Sequence, residues 1–176
     1  MLLSLSCLAL SACGGAGLYG YAPSYRPLSV EEDHLEGTTE VSFEDVKRDP
    51  HGYAGQTVSF FGVVRHVDTD ATSGQTTLRL DFRILQPRNL CGDETSSSCR
   101  VTVSERSGGN FSALVTLKPG DESGPDRVWV GSLVRFYGSP TGDLDEDGGP
   151  VMRVEYYRHW PNAQYVTTAS AGRMRR

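Results

Sequence analysis

A chain of 176 residues with a hydrophobic fraction of 38% is long enough for one domain of ordinary size plus tails, and apolar enough for a real core. The net charge of −5 argues against a protein whose main task is to grip nucleic-acid backbone, since such proteins draw most of their affinity from a basic balance. Twenty glycines and nine prolines punctuate repeated Val/Phe/Tyr runs, and sustained 3.6-residue periodicity is nearly absent, so the expected class is all-β.

Residues Leu2 to Ala12 form an apolar and small-residue run, too short to span a bilayer as a helix, that ends in Leu10-Ser11-Ala12-Cys13. That tetrapeptide is a lipobox. It implies removal of residues 1–12 as a lipoprotein signal peptide, lipidation of Cys13 and firm anchoring through several acyl chains, one chain alone being marginal. No Lys or Arg precedes the run, a departure from the usual signal. Gly14 in place of an aspartate favours the outer membrane, so the expected location is the envelope, lipid-anchored and facing the periplasm. Residues 13–40, rich in Gly, Pro, Ser and acidic groups, read as a flexible tether with a reach on the order of 30 Å.

The folded domain is expected over 41–161. Ser42-Phe43-Glu44-Asp45 has capping-box spacing and predicts a short amphipathic helix that Asp49-Pro50 ends, after which Tyr53 is the expected plug of the core. The stretch Gly55 to Asp68 predicts a long strand with apolar residues on both faces: Val58, Phe60 and Val64 on one parity, Phe61, Val63 and Val67 on the other. Gly62 would be the site of a bulge or sharp coil. A closed barrel whose first strand bends from one sheet into the next fits this pattern. The phrase G-x-x-V-x-F-[FY]-G then recurs, at Gly55 to Gly62 and at Gly131 to Gly138.

Gln75 to Gln86 predicts a second strand, with Leu78, Leu80, Phe82 and Ile84 inward and Thr77, Arg79, Asp81 and Arg83 outward. A polar loop from Pro87 to Ser98 follows, and Arg100 to Glu105 resumes alternation. Further strands are expected at Phe111 to Leu117, Val128 to Ser139, and Val151 to Trp160, the last with Met152, Val154, Tyr156 and Trp160 on one face. Two prolines and two glycines in Lys118 to Arg127 argue against a helix there. Residues 162–176 read as a disordered tail. About five principal strands and a short N-terminal helix fit a small OB-like barrel, closed or partly open, with a β-sandwich as the alternative.

The helix followed by D-P-x-x-Y-x-G-x-x-V-x-x-x-G, the later G-x-x-V-x-x-x-G strand, and the terminal phrase Tyr156-Tyr157-Arg158-His159-Trp160-Pro161 resemble the starvation-inducible outer-membrane lipoprotein family of bacteria. The resemblance covers 41–161 and implies a lipid-anchored envelope protein with an OB-like barrel and no established catalytic residues. The cysteine-bearing insertion and an acidic loop depart from the family pattern.

Export to an oxidising compartment makes Cys91 and Cys99 an expected disulfide closing the short loop between them. The phrase Asp143-Leu144-Asp145-Glu146-Asp147-Gly148 gathers three carboxylates and a turn glycine, the material of a weak calcium site or of a solvated acidic turn that binds none. Val154 stands at the twelfth position and a strand follows, which excludes an EF-hand; a dissociation constant no tighter than about 10⁻⁴ M is expected, and no other cofactor. The four histidines are scattered without metal-ligand spacing and no nucleophile motif is present, so the expectation is a non-catalytic module, with an envelope enzyme whose site is assembled in space as the remoter alternative. Arg65, Arg79, Arg83, Arg135 and Tyr137 are the candidate ligand face, for an envelope glycan, a peptide or a protein partner. The competing reading is that these arginines are solvated or paired with acids such as Asp81 and Glu155.

Overall fold

The structure, a computed structural model, describes residues 17–173. Five long strands make a closed barrel: β1 (Val58–Thr69), β2 (Thr76–Arg83), β4 (Asn110–Val115), β5 (Leu133–Leu144) and β6 (Pro150–Trp160). Around the barrel they run β1-β2-β4-β6-β5, and β5 closes onto β1. Every pairing is antiparallel except β4 with β6. This is an OB-type barrel, as the strand spacing implied, and closure removes the sandwich from consideration. Two short strands, β3 (Thr102–Val103) and β7 (Val166–Thr167), pair in parallel outside it.

The two copies of the repeated phrase lie side by side. Val58 faces Gly138, Phe60 faces Phe136 and Gly62 faces Val134, so β1 and β5 are related by a local two-fold that the sequence repeat encodes. The closing glycine of each copy, Gly62 and Gly138, stands at a point of close approach. A methyl group on Gly62 would meet the Phe111 ring at 2.8 Å, and one on Gly138 would meet the Arg153 carbonyl oxygen at 2.0 Å. Gly62 therefore makes room for a core ring and is not the bulge; the register of β1 shifts instead between Val64 and His66.

That shift explains the two apolar faces of β1. Val58, Phe60 and Val64 point into the barrel with Leu78, Leu80, Phe111, Phe136 and Met152, and beyond the bulge Val67 joins the same interior. Phe61 and Val63 point outward into a second core with Val101, Val103, Leu133 and Trp160. A bulge in β6, opposite Tyr137 and Gly138, has a similar effect. Met152 and Val154 face the barrel, but past the bulge Tyr157 does, while Trp160 lies in the outer core, so the single-parity expectation for β6 does not hold. Ile84 lies beyond the end of β2 and is 55% exposed, not inward.

The helix α2 (Phe43–Arg48) forms where the capping box placed it. The Ser42 hydroxyl oxygen accepts the Asp45 N–H at 3.1 Å, and the helix ends at Asp49 before Pro50. Phe43 and Val46 are buried, and Phe43 packs against Phe60, Phe82 and Phe111 to plug one end of the barrel. Tyr53, the expected plug, is only half-buried. Lys118 to Arg127 contains no helix, and Val128 closes the opposite end.

Two segments depart from expectation. The described part of the tether packs on the barrel: α1 (Ser29–Glu36) lies against β5 and β6, Tyr25 stacks edge-on to Phe61, and the Trp160 indole N–H donates to the Tyr19 carbonyl at 3.0 Å. The described part of the tail also packs, through β7, the 3-10 turn Thr168–Gly172 and a hydrogen bond of 3.0 Å from the Tyr165 hydroxyl to the Gly131 carbonyl. The physical reason is the outer core. Phe61, Val63, Leu133 and Trp160 cannot stay dry without these two segments over them.

Cys91 and Cys99 are bonded, with Cα atoms 4.7 Å apart, and Cys99 is buried. Reducing the bond, or replacing both cysteines by serine, is expected to lower the unfolding free energy by about 2–3 kcal/mol, read from urea melts with and without reductant.

Candidate functional site

Past its last paired residue, β2 leads into Ile84 and Leu85, and across from them the chain enters α2 through Glu40, Val41 and Ser42. Between these walls lies an open groove of about 620 Å³ whose floor is Ser59, Phe60 and Phe61 of β1. Phe82, Arg83 and Gly108 close one side and Arg135 of β5 stands at the other. The walls follow from local sequence. Outward parity puts Arg135 directly opposite Phe61, and the end of β2 leaves Ile84 unable to turn inward.

Arg135 is 9% exposed. Its Nε–H donates to the Ser59 hydroxyl at 2.9 Å, and its guanidinium carbon lies 4.7 Å from the centre of the Tyr137 ring, 4.9 Å from Tyr25 and 5.2 Å from Phe61. These contacts are the cation–π arrangement that lets an aromatic cage hold a poorly hydrated charge. No carboxylate among the described residues pairs with it. Arg83 is held differently: it donates to the Glu105 carbonyl and lies 3.5 Å from the Asp81 carboxylate. Its Nε is buried with no hydrogen-bond partner.

Behind Arg135 lies a latch that sequence reading missed. Glu31 of α1 is fully buried, and each of its oxygens takes two donors. Oε1 accepts the hydroxyls of Tyr25 at 2.5 Å and Tyr137 at 3.1 Å; Oε2 accepts the Leu28 N–H and the Arg158 guanidinium, each at 2.8 Å. Arg158 is 4% exposed and also donates to the carbonyls of Leu18 and Arg26. Burial pushes the Tyr25 hydroxyl up to about 12, with the Arg135 charge working against the rise and Glu31 adding to it. Burial likewise raises Tyr137. Nothing in the acidic, Pro-flanked phrase around Glu31 marks it as a core residue. The one available signal was the aromatic and arginine content of the outward parity of β5 and β6, which needs a cover.

The five residues expected to form one ligand face do not do so. Arg83 and Arg135 share the groove, whereas Tyr137 is buried beneath the latch. Arg65 pairs with Asp81 at 2.7 Å and Arg79 with Glu146 at 3.0 Å, both with largely exposed guanidiniums. Asp81 was an expected counter-ion and serves two arginines, Arg65 and Arg83; Glu155 pairs with none among the described residues. The reason is parity: the bulge in β1 and the twist of β2 carry Arg65 and Arg79 away from β5.

The acidic loop is organised by its own hydrogen bonds. Asp145 Oδ1 accepts the N–H groups of Asp147 at 3.0 Å and Gly149 at 2.8 Å, and Oδ2 accepts the Ser112 hydroxyl at 2.6 Å. Asp143 accepts the Thr141 hydroxyl at 3.0 Å. No group of three or more His, Cys, Asp or Glu among the described residues is placed to hold a metal ion, so Asp143, Asp145 and Asp147 do not converge on one point. Asp145 instead builds the turn between β5 and β6.

A second polar cluster ties the Lys118 to Val128 connection to β6. Tyr157 donates its hydroxyl to Asp121 at 2.5 Å, and His159 Nε2–H donates to the Asp126 carbonyl at 2.7 Å. The Lys118 ammonium lies over the Tyr156 and Tyr157 rings, and burial lowers its pKa against the pull of Asp121. Each group is spent on holding the loop.

Comparisons with family profiles, with curated proteins and with solved structures find no match to this chain.

Proposed function

We propose that this chain is a lipid-anchored envelope lipoprotein whose OB-type barrel is a non-catalytic binding module, in keeping with its resemblance to the starvation-inducible outer-membrane lipoproteins. The observation that carries the anchor is Leu10-Ser11-Ala12-Cys13 at the end of the apolar run, which lies outside the described residues. The Cys91–Cys99 bond supports an oxidising compartment, where such bonds persist. The binding reading rests on the groove, whose chemistry is two guanidiniums, apolar walls and the carboxylates of Glu40 and Glu44 at the edge, suited to recognition more than to bond-making.

The packed N-terminal segment changes how such a protein would sit. Arg158 holds the Leu18 carbonyl at 2.7 Å, so the leash from an acylated Cys13 to the barrel reaches at most about 18 Å. The barrel rides close to the lipid headgroups instead of floating. Replacing Cys13 by serine is expected to abolish acyl labelling and move the protein from the membrane to the soluble envelope fraction. Unchanged labelling and retention would overturn the anchor.

A further inference from the structure

We infer that the groove between α2 and the end of β2 binds an amphipathic monoanion of the fatty-acid class, with its carboxylate at Arg135 and its apolar chain along Phe82, Ile84 and Leu85. The inference deepens the binding-module reading and rests on it, but not on the anchor.

The first support is charge. The outer core holds two buried guanidiniums, Arg135 and Arg158, and one buried carboxylate, Glu31. Glu31 is taken by Arg158, with all four of its contacts accounted for by Arg158, Tyr25, Tyr137 and Leu28. One buried positive charge is left over, and a buried charge without a counter-ion is costly. The Nε of Arg135 donates to Ser59, its guanidinium also interacts with the Tyr25 hydroxyl, and no carboxylate among the described residues pairs with it. Its terminal nitrogens are not among the sealed, partnerless atoms, and Arg135 borders the groove, so its guanidinium is the donor a carboxylate would meet.

The second support is the character of the walls. Ile84 is 55% exposed and, with the half-buried Leu85 and Phe82, gives the groove one apolar wall. The wall offers no free backbone edge. Ile84 N–H is bonded to the Ser104 hydroxyl at 3.0 Å, and Ile84 carbonyl to the Ser104 N–H at 2.9 Å, so a peptide could not add as a strand. A chain without backbone polarity suits it. Glu40 and Glu44 stand on the exposed rim. They oppose any anion in the groove and polyanions such as oligonucleotides most, so a single carboxylate held at Arg135 is the anion they resist least.

The test is titration calorimetry on the full mature chain carrying Cys13→Ser, with decanoate, decanol and decyltrimethylammonium as probes. Decanoate is expected to bind at least tenfold more tightly than the neutral or cationic probe. Arg135→Gln, checked for an unchanged near-UV spectrum, is expected to weaken decanoate at least tenfold and leave decanol unaffected. Should that variant fail to fold, Ile84→Glu alters only an exposed residue and is expected to abolish decanoate binding with the melting temperature retained. No decanoate binding, equal affinity for decanol, or unchanged binding in a folded variant would each overturn the proposal. The Cys13 fractionation reports on the anchor separately, so either reading can fail without the other.

Discussion

Replacing Glu31 by alanine is expected to lower the unfolding free energy by about 3–5 kcal/mol, because it leaves the Arg158 guanidinium, 4% exposed, without its carboxylate. It also strips the acceptor from two buried tyrosine hydroxyls and from the Leu28 N–H at the start of α1. The loss should be local before it is global. Residues 18–37 are held by this latch and by the aromatic contacts of Tyr25, so amide exchange in that segment should rise well ahead of exchange in β1 and β5. The paired replacement Glu31→Leu with Arg158→Met should recover only part of the loss, since it removes the uncompensated charge but still leaves the Tyr25 and Tyr137 hydroxyls and the Leu28 N–H without their acceptor. Urea midpoints for the single and double variants measure both effects. A single variant within about 1 kcal/mol of the parent would show that the latch is not a stability element.

The second large effect is alkaline. Tyr25 titrates near its ordinary value of 10.0 when unfolded and is pushed up to about 12 in the fold, chiefly by burial. The folded state therefore holds its proton more tightly. Its contribution is complete below pH 10.0 and is lost as pH rises to about 12. The shift corresponds to roughly 2–3 kcal/mol for Tyr25 alone. Tyr137 and Tyr157 are raised in the same direction, also by burial, and deepen the loss. Thermal melts across this range should show a steep decline, and Tyr25→Phe should make it shallower, at the cost of one hydrogen bond to Glu31 at lower pH. Equal slopes for the parent and the variant would contradict the assignment.

Much of the architecture was legible because it is written in short-range patterns. Alternation in Leu78, Leu80 and Phe82, the cap at Ser42, the prolines of the Lys118 to Arg127 connection and the pair Cys91 and Cys99 each report a local preference that the fold respects. The repeated G-x-x-V-x-F-[FY]-G phrase goes further. It encodes the two strands that meet to close the barrel, although nothing in a linear reading says that they pair with each other.

What only the tertiary structure decided depends on which surfaces meet. A bulge shifts register by one residue and exchanges every face after it, and the two bulges, in β1 and β6, turned Val67 and Tyr157 inward and sent Trp160 out. Composition made 13–40 look like a tether, yet Glu31, Tyr25 and Tyr19 earn their place only against Arg158, Phe61 and Trp160, more than a hundred positions away in sequence for two of the three. The candidate site follows the same logic. Arg83 and Arg135 were visible as isolated basic residues, but their meeting at one apolar groove, and the sealing of Tyr137 behind it, arise from barrel closure and from the segment laid across the outer core. By itself the sequence determined the barrel's strands, its cap and its disulfide, since each depends on neighbours along the chain; the tertiary structure decided the latch and the groove, since each depends on burial shared between strands that the chain keeps far apart.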